Sequence, residues 1–212
     1  MPGKLSQSVF AHVEILFLVA LIGAVFPILL FLTGWWGAYF FAPEKEIVYY
    51  MLSGLILGLL LDILFLRKWV KFAYQIHPMI LVFIYLFYSV GIFGFLMGFP
   101  VFNLFMGPLA GFYIGRRLFH AGLNIEQAKK IFALVNLFTT FILAMACLAA
   151  LILAASETTL AGNINGMFAG MFNLHTKLSN QSIIGFSIFA GIVLVVMEYL
   201  ATGAAAKFAF RQ

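Results

Sequence analysis

Two carboxyl side chains, Asp62 and Glu198, stand inside long apolar stretches of this sequence. Asp62 lies about five residues, ~7–8 Å along a helix, from the nearer polar flank, and Glu198 about nine residues, ~13 Å. A carboxyl group surrounded by hydrocarbon can hold a proton or a cation, pair with a base, or serve as a general acid or base. Glu14 and His12 open the first apolar run, and His77 opens the third. An isolated charge at such depth costs several kcal/mol unless it is paired or hydrated. These groups are therefore expected to face one another, a cavity, or the nearby Arg67 and Lys68. Glu198 is the deepest and has no sequence-local partner, so it leads the candidate substrate- or ion-binding residues, followed by Asp62, Glu14 and His77.

Other reaction signatures are missing from the sequence. It has no glycine-rich phosphate loop ending in Lys-Ser/Thr, no His-Glu-x-x-His metal helix and no Gly-x-Ser-x-Gly elbow. No lysine lies in the middle of an apolar run, and the residues flanking Asp62 and Glu198 do not resemble intramembrane aspartyl protease motifs. The single cysteine, Cys147, is embedded in an apolar run, which excludes an intrachain disulfide. The balance leans away from an enzyme. The enzymatic alternative is a lipid-acting one with Asp62 or Glu198 as acid or base.

What must position these groups follows from composition. Hydrophobic residues make up 65% of the 212 and charged residues only 9%, with mean hydropathy +1.11. A soluble fold carries roughly 25% charged residues. A chain this apolar requires lipid as its main solvent. Spanning the hydrocarbon takes about 20 apolar residues, and six windows approach that length: 13–36, 47–66, 72–97, 99–119, 125–155 and 183–206. Pro27 is expected to kink the first, and Gly107-Pro108 to interrupt the short fourth. Asn124 and Gln127 are spaced as a capping box for the fifth. The expectation is an all-α, polytopic membrane bundle of six helices forming a single domain over 1–212. The first apolar run is too long for a signal core and lacks a cleavage site, so it is expected to be retained.

The net charge of +5 is distributed in short clusters between the spans, which argues for lipid headgroups and against nucleic acid. With the N-terminus inside, ten of the twelve Lys and Arg residues face the cytoplasm: Lys4, Arg67, Lys68, Lys71, Arg116, Arg117, Lys129, Lys130, Lys207 and Arg211. Lys45 and Lys177 fall outside. The positive-inside rule thus predicts both termini in the cytoplasm and a multi-pass protein of the cell membrane. Trp35, Trp36, Tyr39, Tyr49 and Tyr50 then form an outer aromatic belt, with Trp69 on the inner side.

Small residues recur at intervals of four: Gly107, Gly111 and Gly115 on the fourth span, Gly54 and Gly58 on the second, Ala20 and Ala24 on the first. Such stripes let backbones approach closely where lipid supplies no hydrophobic drive. They would pack the bundle internally, or dock other membrane subunits or a second copy. The long loop 156–182 carries an amphipathic pattern over about 163–178, expected as a helix at the outer interface. As a lid it would offer Asn163, Asn165, Asn173 and His175. These features together favour a transport component that binds a solute or ion within the bundle. The alternative is a non-catalytic accessory subunit of a larger membrane complex. In outline the chain resembles the substrate-binding S components of energy-coupling-factor vitamin transporters, six-helix proteins with cytoplasmic termini and motifs such as Ala20-x-x-x-Ala24. No vitamin-binding signature is present. The resemblance implies an ATPase module and a coupling membrane subunit as partners.

Overall fold

The computed structural model describes residues 3–96, 98–157, 159, 161–166 and 178–211, with side chains from Ala11 onward. Every regular element among them is helical: α1 (Gly3–Gly23), α2 (Val25–Phe41), α3 (Ile47–Lys71), α4 (Pro78–Phe95), α5 (Met106–His120), α6 (Ile125–Ser156) and α7 (Asn180–Arg211), with short 3-10 turns between some of them. Five stretches are long and apolar enough to cross a membrane: Ala11–Phe41, Glu44–Lys71, Pro78–Phe95, Ile125–Ser156 and Asn180–Arg211. Large apolar side chains such as Leu16, Ile63, Val90, Phe186 and Leu200 are exposed, an arrangement suited to lipid rather than water.

The boundaries differ from the sequence expectation where proline and glycine intervene. The first span breaks at Ala24, one turn before Pro27. The bond Pro27 cannot donate is the one to the carbonyl of Gly23, four residues back. The third window does not begin at 72. The chain makes a 3-10 turn at Ala73–Gln75, and α4 starts only at Pro78, whose missing N–H is harmless in a first turn. His77 supplies the cap, its Nδ1 accepting from the Met79 N–H at 3.3 Å. The fourth window is not one long helix. Gly98, at φ +79°, turns the chain, a 3-10 helix runs over Pro100–Phe105, and α5 follows with 15 residues. In the outer loop, residues 161–166 are helical and 178–179 are not. The remainder of the expected interfacial helix, including Asn173 and His175, lies outside the described residues.

The chain divides into two compact units, 1–84 and 85–211. In the first, α2 and α3 form an antiparallel pair held at glycines. A methyl group at Gly34 would strike the Tyr50 backbone, one at Gly54 the Leu30 carbonyl, and one at Gly58 the Pro27 backbone. Ala20 is exposed and Ala24 half-buried, so this alanine pair does not form a packed stripe within the unit. Trp36, Tyr39 and Phe40 contact one another through their rings at the end of α2.

In the second unit α5 runs parallel to α7. A methyl group at Gly107 would meet Glu198 and Thr202, one at Gly111 the Thr202 carbonyl, and one at Gly115 the Ala206 carbonyl. Helix α6 runs antiparallel to α7: Gly203 lies beside Asn136, and Gly191 beside Cys147. The turn between α5 and α6 is fully specified by sequence. Gly122, at φ +67°, closes α5 in a Schellman motif, with Gly122 N–H bonding Phe119 O at 3.0 Å and Leu123 N–H bonding Leu118 O at 3.3 Å. Asn124 then caps α6 in a capping box with Gln127. Leu118, Ala128, Phe132 and Ala206 form an apolar cluster at this end.

Candidate functional site

Glu198 projects from α7 into the second unit and has no exposed surface. Around it stand Thr202, one turn further along α7, and Tyr85 and Ser89, one turn apart on α4. The Tyr85 hydroxyl and the Gly107 N–H approach the carboxyl. Neither forms a hydrogen bond of full geometry, so both carboxyl oxygens are unpartnered among the described residues. The glycine stripe of α5 makes this arrangement possible. Gly107 has no side chain, and even one methyl group there would overlap Glu198 Oε1 and Thr202 Oγ1.

Further hydroxyls and amides continue from this centre. Thr139 of α6, fully buried, lies 3.4 Å from Thr202 through its hydroxyl and also donates to the Asn136 carbonyl at 3.2 Å. Asn103, in the 3-10 segment, donates to the Ser89 carbonyl at 2.8 Å. Near this centre Ser89 Oγ, Asn103 Oδ1 and Asn136 Oδ1 lack a hydrogen-bond partner among the described residues. A buried polar group without a partner carries a desolvation penalty of about 1–3 kcal/mol. So many in one place mark this as the most polar and least satisfied part of the unit's interior. It is rich in oxygen acceptors and has a single carboxyl group.

The other sequence candidates have separate surroundings within the first unit. Glu14 is buried and accepts a hydrogen bond from the Tyr74 hydroxyl at 2.5 Å. Asp62 is half-buried, its Oδ1 unpartnered among the described residues, and the Cβ position of Gly23 is 3.6 Å from its Oδ2. Gly23 lies nine residues, ~13 Å along the helix, from Glu14, so these two carboxyl groups sit at different heights and do not gather into one cluster. His77 is exposed and serves as the cap of α4. Among the described residues no three His, Cys, Asp or Glu side chains are grouped as metal ligands. A groove along α2, lined by Leu29, Leu32, Thr33, Trp36, Gly37 and Phe40, is apolar. Its one hydroxyl, on Thr33, already donates to the Leu29 carbonyl at 2.8 Å.

In the outer loop the amide of Asn165 is committed to the backbone, donating to Leu178 O and accepting from Leu178 N–H at 3.0 Å each. Asn163 donates to the Thr159 hydroxyl at 3.3 Å. These bonds, with Asn180 accepting from the Ala161 N–H at 2.9 Å, tie the loop together.

Tyr85, Ser89, Asn103, Asn136, Thr139, Thr140 and Thr202 were not singled out from sequence. The signal was there: Tyr85 and Ser89, Asn136 and Thr140, and Glu198 and Thr202 are each four apart, placing uncharged polar groups on one face of an apolar helix. No protein-family model matches the sequence, and no curated protein or solved structure is similar to it.

Proposed function

We propose that this chain is a six-pass membrane transport component that binds a cation at Glu198. One observation carries the reading: a carboxyl group with no exposed surface and no full hydrogen bond to either oxygen, deep in an apolar bundle. Left ionised and alone there, it would cost several kcal/mol, and a bound cation removes that penalty. The hydroxyls around it supply neutral oxygen donors.

The six-pass arrangement is supported by the segment 98–120. Its start is beside Leu153 near one end of α6, and its Leu118 packs with Ala128 and Phe132 near the other. Residues 128–153 of a helix measure ~38 Å, more than the ~30 Å hydrocarbon thickness. The 3-10 helix and α5 together therefore make one full pass. The parallel course of α5 and α7 fits this, since each then runs from the outer to the cytoplasmic face. Arg116, Arg117, His120 and Arg211 gather at the same helix ends as the first turn of α6, with Lys129 and Lys130. That agrees with cytoplasmic termini. The glycine face of α5, which a partner subunit would otherwise use, is filled by α7. This favours transport over an accessory role.

Thermal unfolding of the detergent-purified protein across a series of cations and pH values tests the proposal. At least one cation, the proton included, should shift the melting of the natural protein and leave Glu198→Gln unmoved. Identical profiles for the two proteins under every condition would refute it.

A further inference from the structure

Resting on that reading of Glu198, we infer that the cation is a proton, exchanged along the side-chain row Ser89–Tyr85–Glu198–Thr202–Thr139. The first argument is space. Oxygen-ligated metal ions need about six or more ligands at ~2.0–2.6 Å. Here the α5 backbone fills the position between Glu198 Oε1 and Thr202 Oγ1 so closely that a methyl group at Gly107 would overlap both. A metal ion would have to push α5 off α7. A proton needs no room of its own.

The second argument is charge. Tyr85, from α4, is the titratable group that faces Glu198. From α5, Tyr113, Arg116, Arg117 and His120 are six or more residues beyond Gly107. From α6, Cys147 lies beside Gly191, seven residues from Glu198, while Glu126, Lys129 and Lys130 belong to its far first turns. The 3-10 segment Pro100–Phe105 contributes no titratable group. On α7 itself, Tyr199, Lys207 and Arg211 are exposed. One carboxyl with no facing base is balanced by one proton.

The third argument is continuity. Ser89 and Tyr85 lead to the carboxyl from one side. Thr202 continues from it, with the Thr139 hydroxyl 3.4 Å further on. The Ser89 oxygen, unpartnered among the described residues, stands at one end of the row, and at the other the Thr139 hydroxyl donates to the Asn136 backbone carbonyl. Each hydroxyl accepts a proton on its oxygen as its own proton passes to the next acceptor. The last proton bonds to a Glu198 oxygen and gives the neutral acid. Release reverses the sequence, with water as the donor and final acceptor.

Difference infrared spectroscopy of the purified full-length protein tests this. The natural protein should show the C=O band of a protonated carboxylic acid, absent in Glu198→Gln, displaced in Glu198→Asp, and unchanged by Na+, K+, Mg2+ or Ca2+. Transfer to heavy water should shift the band, and Tyr85→Phe and Thr202→Val should each slow that shift several-fold while keeping the band and the helical circular dichroism. Conversion of the band to carboxylate by one of the metal ions would overturn the proton assignment and leave the cation reading standing. Unchanged exchange in both variants would overturn the row as the path. A carboxylate at every pH with no response to any cation would refute both the proton and the cation reading.

Discussion

Replacing Gly111 by alanine sets two opposed effects against each other. In a helix interior alanine is favoured over glycine by about 1 kcal/mol. Against this, the new Cβ would overlap the Thr202 carbonyl oxygen and stand 3.2 Å from the Thr202 carbonyl carbon and 3.3 Å from the Ala206 nitrogen. These are backbone atoms of α7, with no rotamer to escape into. Helix α5 has to retreat instead, and a gap of about 0.5–1 Å forfeits a quarter to a half of each dispersion contact it opens. The retreat also lifts Gly107 and Gly115 off α7, since all three share one face of one rigid helix. Overpacking of this kind costs about 1–3 kcal/mol, enough to outweigh the propensity gain. Gly185, on α7 itself, has nothing within 4 Å of its Cβ position and isolates the propensity term. Gly185→Ala should be neutral or stabilising by up to about 1 kcal/mol. Gly111→Ala should fall about 1–3 kcal/mol below it, because the propensity gain is common to both. Reversible unfolding of both variants in mixed micelles measures the difference. Equal stability for the two would show that the stripe does not hold α5 to α7.

Asn124→Ala removes one half of the capping box on α6 and should cost about 1 kcal/mol in the same unfolding assay; no change would mean that end of α6 is frayed. Phe132→Ala opens the apolar cluster of Leu118, Ala128 and Ala206 beyond Asn136, and should speed deuterium exchange at Glu198 with the acid band intact. An unchanged rate would place the barrier elsewhere. In a Cys147→Ser background, a membrane-impermeant maleimide should label Lys45→Cys in intact cells, and label Lys68→Cys only after permeabilisation. The opposite pattern would invert the orientation.

The sequence revealed the elements well because lipid imposes simple rules. Apolar length marks a stretch able to span it. It was less reliable where backbone hydrogen bonding decides the outcome. Pro27 does interrupt its helix as expected, with the break one turn upstream at Ala24, beside the orphaned carbonyl of Gly23. The fourth window was expected to be interrupted at Gly107-Pro108, but those residues lie in the first turn of α5, and the change from a 3-10 helix falls just before them, at Met106. For the site, charge drew attention to Glu198, which can be found by scanning for ionised groups. Its neighbours could not be found that way. Thr202, Thr139, Ser89 and Asn136 are uncharged and distributed over three helices, and only tertiary packing shows that they share one interior.

The broken fourth span and the buried carboxyl, which look like separate features in the sequence, are one feature in the fold. Helix α5 follows directly on the 3-10 helix, whose Asn103 carbonyl accepts the Met106 N–H, and the positive end of its dipole lies at this point. Helix α5 starts at Met106, its N-cap Phe105 offers no side-chain bond, and Pro108 has no N–H to satisfy. Gly107 then presents its own N–H towards Glu198 at a distance only glycine permits. The change from 3-10 to α-helix therefore sets Gly107, in the first turn of α5, directly against Glu198. It also explains why glycine is needed at the top of the stripe for more than packing: Gly107→Ala should disturb the Glu198 infrared band as well as stability, whereas Gly115→Ala, two turns away, should affect stability alone.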